Sequence, residues 1–222
     1  MSSLLWVIDP AVEQPEDEGY RELEQLFGGR CERFLVALDE TIPLPRSYRA
    51  DAVVVLGSKA SARDHDPWVL ALRDWLAPIV RGDERLPTLG ICFGHQLIGR
   101  IAGAAVDFLR PDQSKLVAIE ESRIVASRLF DQPATLQVIC SHREVVTEVP
   151  AGFVRVGSRR DVPNDVFEHE HLPIVTAQFH PEARATFLQR AGLDASRLSP
   201  TLLSDSRRFL RGFFALARSS AP

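Results

Sequence analysis

A cysteine set between two glycines is the residue of this chain best suited to covalent chemistry. Gly90, Cys92 and Gly94 follow the spacing G-x-C-x-G, which is the spacing of a nucleophile elbow with sulfur in place of the serine oxygen. An elbow needs small residues at these two positions because a strand turns sharply there into a helix. The turn would place Cys92 at a helix N-terminus, where the helix dipole and the free backbone N–H groups favour a thiolate over a thiol.

A histidine and a glutamate further along the chain could serve that thiolate. His180 and Glu182 lie two positions apart at the end of a strand-like segment, so in extended backbone their side chains point to the same side. Pro181 between them restricts the backbone. The carboxylate can hold one imidazole nitrogen as a donor and leave the other nitrogen to face Cys92. The pattern therefore predicts a nucleophile, a base and an orienting carboxylate.

Attack by a thiolate on a carbonyl group also requires donors for the oxyanion. The backbone N–H of Phe93 follows the nucleophile directly and is one such donor. Gly57 ends a predicted strand that should neighbour the elbow strand, and without a side chain its N–H can approach the substrate closely. We therefore expect the amides of Gly57 and Phe93 to form an oxyanion hole.

Strands and helices alternate in the first half of the chain and would position these residues. The predicted strands are Leu4–Asp9, Phe34–Leu38, Ala52–Leu56 and Thr88–Ile91. The predicted helices lie around Tyr20–Phe27, from Asp66-Pro67 onward, and over Gly94–Ala102. Continuous apolar strands separated by helices indicate a parallel sheet that is covered on both faces.

The pattern changes after Asp107. Helical patterns become too few for further strand–helix–strand units, so we expect antiparallel strands at one edge of the sheet. The strand-like segments in this half are Leu116–Glu120, Leu136–Cys140, Phe153–Val156, Val166–Glu168 and Ile174–Phe179. The predicted fold class is therefore α/β, with three layers, a mostly parallel central sheet, helices on both faces and antiparallel edge strands.

The end of the chain has an arginine-rich helical pattern from Asp194 onward. One face of this pattern carries Leu210, Phe213, Phe214 and Ala217. We expect this apolar face to pack on the rest of the chain rather than on a partner. The predicted organisation is one domain over residues 1–192 and a C-terminal helical extension over residues 193–222, packed on the same domain.

Charge and hydropathy argue against several classes of function. Lys and Arg number 26 against 30 Asp and Glu, and the basic residues are scattered, so nucleic-acid binding has no support. No apolar run approaches the ~20 residues of a membrane span, and the N-terminus lacks the basic segment of a signal peptide. The three cysteines indicate no disulfide framework, so we expect a cytoplasmic location, with Cys31 and Cys140 as inert core residues.

Several further strings accompany the elbow and the Gln-Phe-His-Pro-Glu segment at 178–182. They are Val-Leu-Gly-Ser at 55–58, Asp-Pro-Trp at 66–68, Cys-Ser-His-Arg-Glu-Val-Val at 140–146 and Val-Pro-Ala-Gly-Phe at 149–153. With these strings, residues 4–182 resemble the class I, triad-type glutamine amidotransferases, and most closely the stand-alone group related to the glutaminase part of GMP synthase. The resemblance implies a flavodoxin-like fold and a small-molecule substrate, which is glutamine or another γ-glutamyl compound.

The resemblance also implies the roles of the catalytic residues. Cys92 would be the nucleophile, His180 the base and acid, and Glu182 the group that orients His180. The amides of Gly57 and Phe93 would be the oxyanion hole. The implied reaction is attack on the γ-amide, release of ammonia and hydrolysis of a γ-glutamyl thioester.

By the same resemblance, the amino-acid end of glutamine would be held by Gln96 and by the main chain around Ser141, His142 and Arg143. His142 is expected to shape the pocket rather than to carry a proton. Lys59 and Arg143 stand where many relatives have small residues, and they add positive charge near the expected substrate mouth. Two interpretations stay open: the pair binds an extra carboxylate, as in a γ-glutamyl peptide or conjugate, or it is solvated charge beside an ordinary glutamine pocket.

Three functions stay open from the sequence. The first is an amidotransferase subunit that supplies ammonia to a synthetase on another chain, since we find no P-loop and too few residues after Glu182 for a synthetase domain. The second is a self-sufficient hydrolase of γ-glutamyl amide or peptide bonds, which Lys59 and Arg143 favour. The third is a non-catalytic scaffold, which the complete triad disfavours. No metal or cofactor is predicted, because the string at 168–171 is typical of a solvated hairpin.

Overall fold

A nine-stranded sheet runs through the centre of the computed structural model, which describes residues 3–43 and 50–220. The strands are β1 (Leu4–Ile8), β2 (Arg30–Phe34), β3 (Ala52–Val55), β4 (Thr88–Ile91), β5 (Val106–Phe108), β6 (Leu116–Ile124), β7 (Ala134–His142), β8 (Glu144–Val146), β9 (Phe153–Ser158), β10 (Val166–His169) and β11 (Ile174–Ala177). The helices are α1 (Asp17–Phe27), α2 (Pro67–Arg81), α3 (Phe93–Ile101), α4 (Ala185–Ala191) and α5 (Pro200–Ser219), with a 3-10 turn at Ala195–Arg197.

Parallel and antiparallel pairing divide the large sheet into two halves. Its strand order is β2-β1-β3-β4-β11-β10-β9-β6-β7. The strands from β2 to β11 pair in parallel, and β10, β9, β6 and β7 continue the sheet in antiparallel pairs. β5 and β8 pair with each other in a separate ribbon. This arrangement confirms the predicted α/β fold with antiparallel strands added at one edge.

Helices cover both faces of the sheet and bury two cores. In β1, Leu5 and Val7 join the core under α1 and α5, whereas Trp6 and Ile8 join the core under α2 and α3. The side chains divide in this way because successive residues of a strand point to opposite faces. β3, β4 and β11 are buried along their whole length, which is typical of parallel strands between two helix layers.

The C-terminal helix α5 lies against β7 and α1. Leu210, Phe213 and Phe214 on this helix are fully buried, and the ring of Phe214 lies 5.4 Å from the ring of Phe27. The apolar face of α5 therefore packs on this same chain. The division into a domain over residues 1–192 and an extension over 193–222 stays a prediction, and residues 221–222 lie outside the described residues.

The predicted second strand was wrong. β2 covers Arg30–Phe34 instead of Phe34–Leu38. Because β2 is the edge strand beside β1, its residues are partly exposed and can be charged, so the segment lacks the apolar pattern of a buried strand. The apolar residues that follow form a turn, in which the carbonyl of Leu35 accepts the N–H groups of Leu38 and Asp39. The ribbon of β5 and β8 and the helix α4 were not predicted.

Candidate active site

Cys92 lies at the turn between β4 and α3. Its backbone has φ 49° and ψ −96°, a combination that is strained for a residue with a side chain. Gly94 on the first turn of α3 has no room for a side chain, since a Cβ there would lie 2.5 Å from the carbonyl oxygen of Val55. The glycine therefore allows α3 to begin directly against the sheet, with Cys92 at the residue before the helix.

His180 reaches Cys92 because β11 is the neighbour of β4. The register pairs Ala177 with Ile91, so the segments that follow these two strands leave the sheet at the same edge. Nδ1 of His180 lies 2.8 Å from Oε1 of Glu182, and both side chains are buried. The structure thus brings together the three residues that the sequence singled out.

The charge of His180 is set by its two neighbours. Burial lowers the pKa of His180, but the carboxylate of Glu182 and a thiolate at Cys92 outweigh burial and raise that pKa to about 10. The imidazole is therefore protonated at neutral pH. A protonated imidazole stabilises a thiolate beside it, and the thiolate is the form of cysteine that acts as a nucleophile.

Gly57 and Phe93 lie beside the triad at the ends of adjacent strands. β3 pairs with β4, so Gly57, which closely follows β3, lies next to the elbow. A Cβ at Gly57 would lie 2.6 Å from Cε1 of His180 and 3.4 Å from Cβ of Cys92. Phe93 begins α3 with its ring fully buried, 5.6 Å from the ring of Trp68. Both residues lie next to the elbow, and the role of their amides as an oxyanion hole stays a prediction.

A cavity of about 700 Å³, called the Cys92 cavity below, opens at the elbow. It contains every residue that the sequence analysis assigned to substrate binding. Its lining includes Lys59, Cys92, Gln96, Ser141, His142 and Arg143. The carbonyl oxygen of Ser141 lies 4.0 Å from Sγ of Cys92, so the end of β7 forms one wall beside the nucleophile.

Gln96 is tied to the wall of the Cys92 cavity. Its Nε2 donates to the carbonyl oxygen of Glu144 at 2.8 Å and to Oε1 of Gln178 at 3.2 Å. The carboxylate of Glu144 in turn accepts from Arg63 at 2.6 Å and from the hydroxyl of Ser61 at 2.7 Å. Gln96 therefore holds the segment after β7 in place.

His142 has a different charge from His180 although both are buried. Its Nε2 lies 3.0 Å from Nη2 of Arg159, and since a guanidinium can only donate, this nitrogen accepts. Burial and the positive charge of Arg159 both lower the pKa of His142 well below its ordinary value. Arg159 is itself held by Asp165 at 2.7 Å and Glu120 at 2.5 Å. A neutral, fixed His142 is suited to shaping the cavity wall, and that role stays a prediction.

The chain matches the model of one protein family. The model of the glutamine amidotransferase class-I family matches residues 37–195, a range that contains Cys92, His180 and Glu182. This chain belongs to the class I glutamine amidotransferase family. Its relatives include enzymes named as glutamine-hydrolyzing GMP synthases.

Two curated relatives and one solved structure show how far the likeness extends. The amidotransferase chain is 36% identical over 102 residues to a glutamine-hydrolyzing GMP synthase subunit of Thermococcus kodakarensis. This match covers 46% of this chain and 53% of the relative. It is 31% identical over 144 residues to glutamine amidotransferase-like protein chyE of Penicillium rubens. That match covers 62% of this chain and 58% of the relative. The chain thus spans about half the length of these relatives.

The structure of a glutamine amido transferase from Methylobacillus flagellatus superimposes with a TM-score of 0.76 at 17% identity, over 100% of this chain and 96% of that one. At this identity the likeness shows a shared fold. Across residues 3–43 and 50–220, no helix has the length and apolarity needed to cross a membrane.

A second cavity of about 290 Å³, called the His180 cavity below, opens beside His180 and Glu182 of the amidotransferase triad. Its lining includes Gly57, Lys59, Ser141, His180, Glu182 and Phe187. Arg143 lines the Cys92 cavity and not the His180 cavity. Nζ of Lys59 lies 2.5 Å from Oε2 of Glu13, and both of these side chains are exposed. Lys59 and Arg143 therefore both line the Cys92 cavity, as the sequence pairs them, but of the two Lys59 alone also lines the His180 cavity.

Lys115 is a cation of this site that the sequence analysis missed. It lies immediately before β6 and lines both cavities. Burial lowers the pKa of Lys115, a thiolate at Cys92 opposes that shift, and the positive charges of Arg143 and Lys59 add to it. No motif marks Lys115. A signal was nonetheless present, since Lys59 and Lys115 are the only lysines in the sequence.

Glu16 is a second missed residue, and it lies beside Glu182. Its Oε1 accepts the N–H of Gly19 at 3.3 Å and caps α1. A Cβ at Gly19 would lie 2.9 Å from Cγ of Glu16 and 3.0 Å from Cγ of Glu182, so the two glutamates converge there. Burial and the negative charge of Glu182 raise the pKa of Glu16 to about 7. In the sequence this residue belongs to an acidic stretch that is typical of a solvated surface.

Other reactive side chains of this amidotransferase have structural partners. Nδ1 of His95 lies 2.9 Å from the hydroxyl of Thr176, and its ring stacks on Phe167 at 5.0 Å. Burial raises the pKa of Cys31 to about 11 and also raises that of Cys140, so neither thiol ionises near neutral pH. Within the described part of the chain, no cluster of three His, Cys, Asp or Glu residues could hold a metal ion.

Proposed function

We propose that this amidotransferase hydrolyses the γ-amide of glutamine through a γ-glutamyl thioester on Cys92. The observation that carries the proposal is the 2.8 Å contact between Nδ1 of His180 and Oε1 of Glu182, beside a cysteine on a strained elbow. The raised pKa of His180 supports it, because a protonated imidazole is ready to donate to a leaving group. The family to which the chain belongs supports glutamine as the substrate.

In the first half-reaction, the thiolate sulfur of Cys92 attacks the γ-carbonyl carbon of glutamine. The carbonyl oxygen becomes negative, and the N–H groups of Gly57 and Phe93 stabilise that charge. The carbon–nitrogen bond then breaks while His180 gives its proton to the nitrogen, and ammonia leaves. The γ-glutamyl group stays bound to the sulfur as a thioester, and His180 is neutral.

In the second half-reaction, water attacks the thioester carbon. His180 takes a proton from the water as the oxygen bonds to the carbon. The carbon–sulfur bond breaks and releases glutamate, which restores the thiolate of Cys92 and the protonated imidazole. Glu182 keeps the ring in one orientation through both steps, because its contact with Nδ1 leaves Nε2 for proton transfer.

The use of the ammonia separates two forms of this function. The Thermococcus relative is named as part of GMP synthase, and by analogy this chain would supply ammonia to a synthetase on a separate chain. The second candidate is a self-sufficient hydrolase of γ-glutamyl bonds, which the His180 cavity favours because it offers space on the leaving-group side. A non-catalytic scaffold would not need the His180–Glu182 contact. A cytoplasmic location stays a prediction.

Replacement of Cys92 tests the proposal. The purified chain should release glutamate and ammonia from glutamine, and Cys92→Ala should release neither while keeping its melting temperature, because a small side chain contributes little to packing. A diazo-ketone analogue of glutamine should label Cys92 alone in peptide mapping. Cys31→Ala is the matched control and should keep both turnover and labelling. Labelling of Cys31 or Cys140 in the Cys92→Ala protein, or turnover by that protein, would contradict the proposal.

A further inference from the structure

Two cavities meet at the triad. Cys92 lines the larger cavity and not the smaller, whereas His180 lines the smaller and not the larger. The residues that line both cavities, and so mark their junction, are Ser58, Lys59, Lys115 and Ser141. A substrate that reaches both Cys92 and His180 must therefore cross this junction.

The chemistry determines which half of a substrate lies on which side. The acyl carbon must bond to Sγ of Cys92, so the γ-glutamyl half extends into the Cys92 cavity. The leaving nitrogen must take a proton from His180, so any group on that nitrogen extends toward the His180 cavity. Ammonia carries no such group. The His180 cavity has about 290 Å³, whereas a water-sized molecule occupies about 30 Å³, so most of this space is not needed for ammonia.

We propose that the His180 cavity binds the leaving half of a γ-glutamyl amino acid, with its α-carboxylate at Lys115 and an apolar side chain against Phe187. This inference rests on the hydrolase proposed above and names the class of substrate that the same triad would cleave. The reaction is unchanged, except that the nitrogen that receives the proton from His180 belongs to a free amino acid instead of ammonia.

The apolar part of the His180 cavity fits the side chain of such an amino acid. The ring of Phe187 lies 4.5 Å from the ring of His180, so it extends the cavity directly from the base. Val12 and Leu56 add further apolar surface to the same lining. Moving an apolar side chain from water onto this surface would be favourable, because it removes apolar surface from water.

Lys115 is the cation in the lining of the His180 cavity that is available to bind a substrate carboxylate. The carboxylates of the His180 cavity already have cationic partners, in the pairs Asp9–Arg33, Glu13–Lys59, Glu16–Arg190 and Glu182–His180. Among residues 3–43 and 50–220, Lys115 forms no ion pair. The α-carboxylate of an amino acid is one carbon away from its nitrogen, so it must lie close to the junction where Lys115 is.

Kinetics on matched substrates test this subsite. We expect the wild-type chain to hydrolyse γ-glutamylleucine with a higher kcat/KM than γ-glutamylglycine or glutamine. Lys115→Ala should lower the ratio of kcat/KM for γ-glutamylleucine to that for glutamine by about ten- to a hundredfold, the size of one lost charge-assisted contact. Lys115→Arg should keep most of the ratio. Phe187→Ala should lower the preference for γ-glutamylleucine over γ-glutamylglycine by about tenfold.

Arg143→Ala is the matched control for Lys115→Ala. Arg143 carries the same charge at the mouth but lines only the Cys92 cavity, where the γ-glutamyl half common to both substrates would lie. Its loss should therefore change kcat/KM for γ-glutamylleucine and glutamine by the same factor. If Arg143→Ala instead lowers the ratio and Lys115→Ala does not, the assignment of the carboxylate to Lys115 is wrong.

Acylation of amines gives a second measurement that does not depend on turnover. Because the sequence has only two lysines, a mild acylating reagent reports on Lys59, Lys115 and the N-terminal amine alone. In the Cys92→Ala protein, γ-glutamylleucine should slow acylation of Lys115 relative to the N-terminal amine, whereas glutamine should not. Equal acylation of Lys115 with and without γ-glutamylleucine would overturn the subsite.

Failure of the subsite can be told apart from failure of the hydrolase. If the wild-type chain hydrolyses glutamine but not γ-glutamylleucine, or if Lys115→Ala lowers both activities equally, the subsite is wrong and the hydrolase stands. If neither substrate is hydrolysed and the diazo-ketone analogue does not label Cys92, the hydrolase itself is wrong and the subsite falls with it.

Discussion

His180 would be neutral if burial alone determined its charge. Burial does lower its pKa, but Glu182 and a thiolate at Cys92 raise it to about 10. At His142 burial acts together with the positive charge of Arg159, so the pKa falls. Two buried histidines of one site therefore differ in charge, with His180 protonated and His142 neutral, and the sign of the nearest charge explains the difference.

Replacement of the triad residues should show that His180 carries the proton and that Glu182 orients the imidazole. His180→Ala should lower kcat for glutamine on the order of 10⁴-fold or more, because both proton transfers lose their carrier. Glu182→Gln should leave a larger residual kcat, since the imidazole can still reach the productive tautomer part of the time. His142→Ala is the control, and its loss of kcat should be much smaller. A loss equal to that of His180→Ala would mean that the base has been assigned to the wrong histidine.

Short strings revealed some residues of the site and not others. Cys92, His180 and Glu182 each stand in a motif whose spacing has a chemical reason, so the sequence could single them out. Lys115 and Glu16 stand in no motif. They join the site only because the ends of β6 and α1 meet the triad in the folded chain, and contacts between distant segments have no local signature in the sequence.

At the scale of elements, the neighbouring positions of β4 and β11 create the site. The sequence predicted both strands, but their adjacency depends on strand order, which periodicity does not encode. The parallel half was easier to predict because its central strands are buried along their whole length and are mostly apolar. The prediction of the edge strand β2 was wrong because a partly exposed strand tolerates charged residues and so lacks a continuous apolar pattern.

Glu16, at the N-terminus of α1, should make the free energy of unfolding depend on pH. The pKa of this carboxyl rises from 4.5 to about 7 on folding, so the folded protein retains a proton that the unfolded chain releases. The stability linked to this proton is fully present below pH 4.5 and is lost as the pH rises through 7. Glu16→Gln removes the titration and keeps an oxygen that can accept from Gly19.

We therefore expect Glu16→Gln to raise the free energy of unfolding above pH 7 by about 2–3 kcal/mol relative to wild type. The difference should shrink as the pH falls toward 4.5. Urea unfolding at a series of pH values measures it. Glu24→Gln, which removes an exposed carboxylate from the same helix, is the control and should follow the wild-type pH dependence. Parallel curves for Glu16→Gln and wild type would rule out the assigned titration.

At the scale of the whole molecule, α5 supports the catalytic strand from outside the family match at residues 37–195. Phe179, directly before His180, packs edge-on against Phe209 of α5 with ring centroids 5.1 Å apart. Phe213 is equally buried on the same helix, but no ring contact joins it to Phe179 within the described residues. On α5, Phe209 therefore contacts the residue next to His180, whereas the equally buried Phe213 packs in the core without that contact among the described residues.

Two substitutions on α5 should separate these effects. Phe209→Ala and Phe213→Ala should each lower the free energy of unfolding by about 3–5 kcal/mol, because each leaves a cavity in the core. At a temperature where both variants are folded, kcat for glutamine should fall further in Phe209→Ala, since Phe179 and with it His180 lose support. Unfolding in urea and steady-state kinetics measure the two quantities. Equal kcat in the two variants would limit α5 to a role in stability.

The order in which the ribosome makes this chain follows from the pairing of β4 with β11. β4 and the elbow are synthesised first, and β11 arrives only after all the other strands of the sheet. A nascent chain that ends before β11 therefore carries the cysteine without its histidine, and one edge of β4 stays unpaired until then. Reactivity is withheld from incomplete copies of the protein, while the exposed strand edge is open to wrong partners for most of synthesis.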